Sequence, residues 1–225
     1  SVIDDRSNAW AVLAGMADST KRAYVLEILN TKYNASPYQE MYVEMAMMEL
    51  DVKAALTRMR KRYAAMIESW SSTLWEEFPA KNSNNHAWSA GPIFHLSTGV
   101  LGIKPTEIKY SEFSFLPRMG DLMQVSGTVP TPYGPIEAFC HRKNSTFTQT
   151  ITLPPNTVGV VGIPKQMFGL DFSINTIKAG GKVIWKNGKP GRMVKGMKFY
   201  KENDQYIMFK AEPGTWTFAT GFWKP

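Results

Sequence analysis

Cysteine occurs once, at Cys140, so no disulfide can close within the chain and no cysteine-based zinc site can form. Histidine is nearly as scarce. His86, His95 and His141 fall at a helix start, in a helix and in a strand, without the His-x-x-x-His spacing that sets two ligands on one helical turn. No metal and no other cofactor is expected; main-chain and acidic oxygens could hold calcium, but nothing argues for it. No stretch approaches the roughly 18–20 uninterrupted apolar residues of a membrane span, and the opening SVIDDRSNAWAV lacks the basic-then-apolar layout of a secretion signal. A Gly-x-Ser-x-Gly elbow for serine hydrolysis is missing, and Gly180-Gly181 reads as a turn, not a phosphate loop. The chain does not begin with methionine and enters helical pattern almost at once, as the tail or processed product of a longer chain would. The compartment is left open, with a periplasmic or extracellular one slightly favoured over the cytoplasm.

What is present is enough for a packed core: 225 residues, 44% of them hydrophobic. Residues 1–104 carry 11 Lys/Arg against 11 Asp/Glu, and 105–225 carry 15 against 8, so the whole +7 excess lies in the second half. Those lysines are spaced between turn residues, as on a solvated sheet surface, and form no helix-borne basic stripe. Neither nucleic acid nor membrane is an expected partner.

The periodicity changes once, near Ile103–Pro105. Before it, apolar residues recur at three- and four-residue intervals, as in Trp10, Leu13, Ala14, Ala17 and in Tyr24, Val25, Ile28, Leu29. Ser36-Pro37 offers a cap and a first-turn proline for PYQEMYVEMAMMEL, and further helices fit 51–69 and 88–101, the last disturbed by Pro92 and ended by Gly102. Links this short predict antiparallel helical hairpins. After Pro105 the period becomes two, with strands predicted at 107–115, 122–129, 135–142, 145–153, 157–163, 170–175, 182–186, 197–201, 205–210 and 215–222, separated by TPYG, RKNS, PPNT, AGGK and KNGKPG. The fold class expected is α+β, with residues 1–104 helical and 105–225 an antiparallel, jelly-roll-like β-sandwich.

Chemistry concentrates in ESWSSTLWEEF at 68–78 and NNHAWSAGP at 84–92. Two carboxylates, a histidine and three tryptophans gather around one turn. A sugar cleft needs such a set, because the apolar C–H face of a pyranose packs on indole while a carboxylate moves protons near the anomeric carbon. From the residues alone, Glu76 could equally be a solvated acid near a helix end, and His86 could cap the helix that follows it.

ASPYQEMYV, STLWEEF, NHAWSAGP, VPTPYGPIEAF and LPPNTVGVVGIP occur in this order, and together they resemble the C-terminal part of bacterial α-L-rhamnosidases, the inverting glycoside hydrolases of family 78. The resemblance runs from DDRSNAWAVL to the closing strands. It implies that 1–104 is the C-terminal part of an (α/α)6 catalytic barrel and that the substrate is a rhamnose-containing glycoside or polysaccharide. It also implies that Glu76, directly after the tryptophan of the T-x-W-E motif, is the general base, and that His86 contacts rhamnose. The family's general acid lies in an acidic motif of the N-terminal half of the barrel, which has no counterpart here. Asp4, Asp5 and Arg6 are only superficially similar to it.

Inverting hydrolysis needs two carboxyl groups about 6.5–9.5 Å apart across the sugar. Glu76 and Glu77 cannot supply both, since chain neighbours point in different directions. The expected partner is therefore the missing N-terminal part of the parent enzyme, without which the chain alone is incomplete and inactive. Trp88, Trp70 and Tyr38 are the expected sugar-contacting aromatics. Trp75 is expected to pack inward, His95 to be a core histidine, and Trp185, Trp216 and Trp223 to pack in the sandwich. Half a barrel would expose a wide apolar face, predicting either self-association through its helices or a rearranged packing under the sandwich. Two other readings remain at this point: a non-catalytic carbohydrate-binding or structural fragment, and a different (α/α)-barrel carbohydrate enzyme.

Overall fold

The computed structural model describes residues 3–71, 73–143, 146–167, 170–171 and 173–223; for 166–167, 170–171 and 222–223 only the backbone is described. The expectation for the Trp223 side chain therefore lies outside the described residues. The chain divides into two compact units, Ser1–Gly99 and Val100–Pro225.

The first unit is helical. Helices α1 (Asp5–Leu13), α2 (Ser19–Thr31), α3 (Pro37–Leu50) and α4 (Val52–Glu68) each start on a side chain that accepts a first-turn amide: Asp4, Asp18, Ser36 and Asp51. These oxygens satisfy donors that a helix N-terminus leaves unpaired, and Pro37 starts α3 without needing an amide at all. Helix α3 packs against α1, α2, α4 and the short α5 (Gly91–His95), so it is the centre of this unit. Its methionines fill that role, with Met47 and Met48 buried. The single helix expected over 88–101 is instead three pieces: a 3₁₀ turn at Ala87–Ser89, α5, and a π-helical turn at Leu96–Val100. Pro92 in the first turn of α5 prevents regular pairing there, and glycine at 91 and 99 lets the segment press closely on Met41 and Met48 of α3.

The second unit is a two-sheet sandwich. The strands are β1 (Ile103–Pro105), β2 (Glu112–Phe115), β3 (Gln124–Val129), β4 (Ile136–Lys143), β5 (Thr146–Leu153), β6 (Val158–Pro164), β7 (Gln166–Met167), β8 (Leu170–Asp171), β9 (Ser173–Ala179), β10 (Lys182–Lys186), β11 (Lys189–Pro190), β12 (Met197–Glu202), β13 (Tyr206–Ala211) and β14 (Gly214–Trp223). One sheet has the order β1-β2-β6-β13-β12 and the other β11-β10-β9-β14-β5-β4-β3, while β7 and β8 form a separate pair. All described pairings are antiparallel except β2 with β6. Alternation along β4 and β5 sends Ile136, Ala138, Cys140, Phe147 and Ile151 inward against Phe113, Phe115, Val161 and Phe209 of the facing sheet. Trp185 is buried in this core and Trp216 packs partly against it.

The one strand predicted at 107–115 divides into β1, a 3₁₀ turn at Ile108–Tyr110 and β2. Lys109 and Tyr110 both have positive φ, which reverses the chain so that β1 can pair with β2. Gly102 precedes β1 with φ +77 and sits so close to the Leu116 carbonyl that a Cβ would lie 2.0 Å from its oxygen.

Candidate active site

After α4 the backbone turns extended at Ser69. Two short stretches beyond it then lie side by side. The Glu76 amide donates to the Ser83 carbonyl at 2.8 Å and the His86 amide to the Leu74 carbonyl, also at 2.8 Å. Trp75 is buried while Glu76 beside it stays half-buried. Ser89 anchors the inward side by donating its hydroxyl to the Trp75 carbonyl.

The Glu76 carboxylate is held from one side. Its Oε2 accepts the Ser83 amide at 3.1 Å. The 3₁₀ turn at Ala87–Ser89 presents Trp88, whose indole N–H donates to the Glu76 carbonyl at 3.2 Å. The His86 ring lies 4.0 Å from the Trp88 ring at 34°, and Tyr38 at the start of α3 follows at 5.6 Å from Trp88. Four of the five residues singled out in the sequence, Glu76, His86, Trp88 and Tyr38, are thus joined by direct contacts. Trp70 is not part of this row; it stands 94% exposed just past α4. Glu77 accepts a hydrogen bond from Asn82 at 2.9 Å within its own loop. Ser72, inside the first motif, lies outside the described residues.

Beneath the site is a buried charge cluster that sequence reasoning missed. Arg58 of α4 bonds Asp5 of α1 at 2.6 Å, both oxygens of Glu40 of α3, and the Leu29 and Lys32 carbonyls at the end of α2. Arg62 adds a 3.1 Å contact to Glu40 and donates to the Ala35 carbonyl. Asp5 also accepts the amides of Asn34 and Ala35. One guanidinium therefore ties four helices together. Glu40 and Glu44, like Arg58 and Arg62, stand four residues apart on facing helices, which was the available signal.

Glu44 is fully buried, and neither of its oxygens finds a hydrogen-bond partner among the described residues. Burial, with Glu40 adding to it, pushes its carboxyl well above the usual range. His95, buried as expected, places Nε2 2.8 Å from the Met41 carbonyl oxygen and 3.7 Å from Glu44. Asp4 behaves oppositely: its bonds to Arg6 hold it down at about 2. Among the described residues no group of three or more His, Cys, Asp and Glu could hold a metal ion, and no helix is long and apolar enough to cross a membrane.

Residues 102–169 match the family model for the bacterial alpha-L-rhamnosidase C-terminal domain. The likeness is to the alpha-L-rhamnosidases. The resemblance read from the sequence motifs is borne out. A curated alpha-L-rhamnosidase from Formosa agariphila is 27% identical over 169 residues, covering 69% of this chain and 17% of that protein. The solved alpha-L-rhamnosidase from Dictyoglumus thermophilum shares the fold with a TM-score of 0.80 at 19% identity, over 97% of this chain and 25% of that one. The alpha-L-rhamnosidase of Streptomyces avermitilis, solved with L-rhamnose bound, gives 0.69 at 16% identity, over 96% of this chain and 21% of its own. The chain thus spans a quarter or less of the length of these rhamnosidases.

Proposed function

We propose that this chain supplies the general-base half of an inverting α-L-rhamnosidase that releases terminal rhamnose from a glycoside or polysaccharide. Residues 1–104 are then the C-terminal part of an (α/α)6 barrel and 105–225 the sandwich domain that follows it. Glu76 takes the proton from the attacking water, His86 bonds rhamnose hydroxyls, and the faces of Trp88 and Tyr38 pack on the sugar's C–H surface.

The arrangement of Glu76 carries this reading. It stays half-buried beside the buried Trp75, its carboxylate accepts the Ser83 amide, and its own carbonyl is bonded by Trp88, whose ring lies against His86. Likeness to a rhamnosidase solved with L-rhamnose supports the choice of sugar. The general acid comes from the part of the enzyme that precedes this chain. Asp4, held down at about 2 by Arg6, has no proton to donate near neutral pH, Asp5 is buried against Arg58, and Glu44, though apt to keep its proton, is out of reach of any substrate. The chain alone therefore does not turn over. In its isolation, exposed apolar side chains such as Ile67 and Ile93 favour self-association.

The test is Glu76→Gln in the full-length enzyme, assayed on a nitrophenyl rhamnoside. Loss of a general base lowers kcat by about 10²–10⁴. Gln retains the oxygen that accepts the Ser83 amide, so the melting temperature should hardly move. A rate near that of the wild type would remove the base assignment.

A further inference from the structure

The contact between His86 and Trp88 is one end of a longer row. From Trp88 the rings continue to Tyr38 at 5.6 Å, from Tyr38 to Tyr42 at 5.8 Å, and from Tyr42 to Trp10 of α1 at 4.6 Å. Tyr38 and Tyr42 lie four residues apart, on one face of α3. In this chain Trp10 is 51% exposed, Tyr38 47% and Trp88 40%.

The row also carries polar edges. The Tyr38 hydroxyl beside it pushes the Tyr42 phenol above its usual range. Arg6, one turn before Trp10 on α1, pairs with Asp4 and reaches Gln39 of α3 at 3.5 Å. Stacking faces bordered by hydroxyl, guanidinium, carboxylate and amide groups suit a pyranose, whose C–H face is apolar and whose rim is polar. A flat protein partner would leave those groups unpaired at its centre.

We infer that the row from Trp88 through Tyr38 and Tyr42 to Trp10 is a platform for the sugar units that carry the terminal rhamnose, so that the natural substrate is a saccharide chain and not a glycoside of a small aglycone. The inference rests on the cleft lying at Glu76, and it assigns Trp10 and Tyr42 to substrate binding beyond the reacting residue. One ring at the cleft would serve any rhamnoside. Four in succession, tilted or edge-on to one another at 4.6 to 5.8 Å, offer more surface than the first unit alone can cover.

The experiment compares Trp10→Ala and Tyr42→Ala with wild type in the full-length enzyme on three substrates: a nitrophenyl rhamnoside, a rhamnosyl flavonoid and a rhamnose-capped oligosaccharide. Each variant should lower the ratio of kcat/KM on the oligosaccharide to that on the nitrophenyl rhamnoside about tenfold, through KM, as expected for losing one stacking ring. Trp10→Phe, which keeps a ring, should restore most of it, and a fold defect would instead lower all three substrates together. An unchanged ratio, or an equal loss on the flavonoid and the oligosaccharide, overturns the platform. Glu76→Gln run alongside separates the two ideas: if it abolishes turnover while the ratio stays constant, the cleft stands and the platform falls. If the ratio drops but Glu76→Gln keeps full rate, the rings bind saccharide and the base lies elsewhere.

Discussion

The indole N–H of Trp88 is bonded to the main-chain carbonyl of Glu76, 3.2 Å away and twelve residues earlier in the chain. One tryptophan thereby both stacks on His86 and holds the backbone that carries the carboxylate. The proposed sugar-binding surface and the proposed base are coupled through a single ring.

Trp88→Phe separates those two jobs. Phenylalanine keeps an aromatic face for His86 and Tyr38 but cannot donate to Glu76. Loss of one neutral hydrogen bond at a partly exposed site costs about 0.5–1.5 kcal/mol, seen as a small drop in denaturant midpoint. The larger effect is expected in kcat, because the Glu76 main chain loses the bond that fixes it; KM for a nitrophenyl rhamnoside should change less. A loss confined to KM would mean that the ring binds sugar without positioning the base.

Arg58→Met tests the buried cluster. Methionine approximates the volume of the aliphatic stem but leaves Asp5 without its guanidinium partner and Glu40 with Arg62 alone, and it uncaps the Leu29 and Lys32 carbonyls. Breaking one partner of such a set costs about 3–5 kcal/mol. Urea unfolding of the chain, followed by circular dichroism at the helical signal, should show the loss. A change below about 1 kcal/mol would mean that the cluster is not a structural tie.

Glu44→Gln should change how stability varies with pH. The folded carboxyl is raised above its unfolded value by burial and by Glu40, partly offset by Arg58 and Arg62, with His95 also beside it. Such a group gives its full stability below the unfolded pKa, about 4.3 for glutamate, and loses it as pH rises toward the folded value. The native chain should therefore lose stability above that pH by about 1.4 kcal/mol per unit from this one proton, and the glutamine variant should lack that slope. Parallel pH profiles for the two proteins, measured by denaturant titration, would sink the assignment.

The elements whose local signals agree with one another were legible in the chain itself. Ser36-Pro37 marked the start of α3 because a hydroxyl cap and a proline without an amide suit the first turn of a helix whatever surrounds it. Period-two alternation marked β4 and β5 because a sheet with one buried face imposes it directly. The segment 88–101 misled for the opposite reason: its apolar spacing suits a helix, but Pro92 and close approach to α3 break it into three turns.

The site divides along the same line. Glu76, His86, Trp88 and Tyr38 could be named as candidates because their motifs resemble those of the α-L-rhamnosidases; residue type alone left Glu76 readable as a solvated acid near a helix end. Trp10 and Tyr42 could not, because nothing in residues 10 and 42 says that α1 and α3 set their rings 4.6 Å apart. Residue order by itself determined the helical and sandwich halves and the acid after an indole, because caps, turns and side-chain alternation act over a few neighbours. Only the tertiary structure decided that Asp5, Glu40 and Arg58 meet in the interior and that the aromatic rings form one row, because contacts between residues as much as 53 positions apart depend on how whole helices pack.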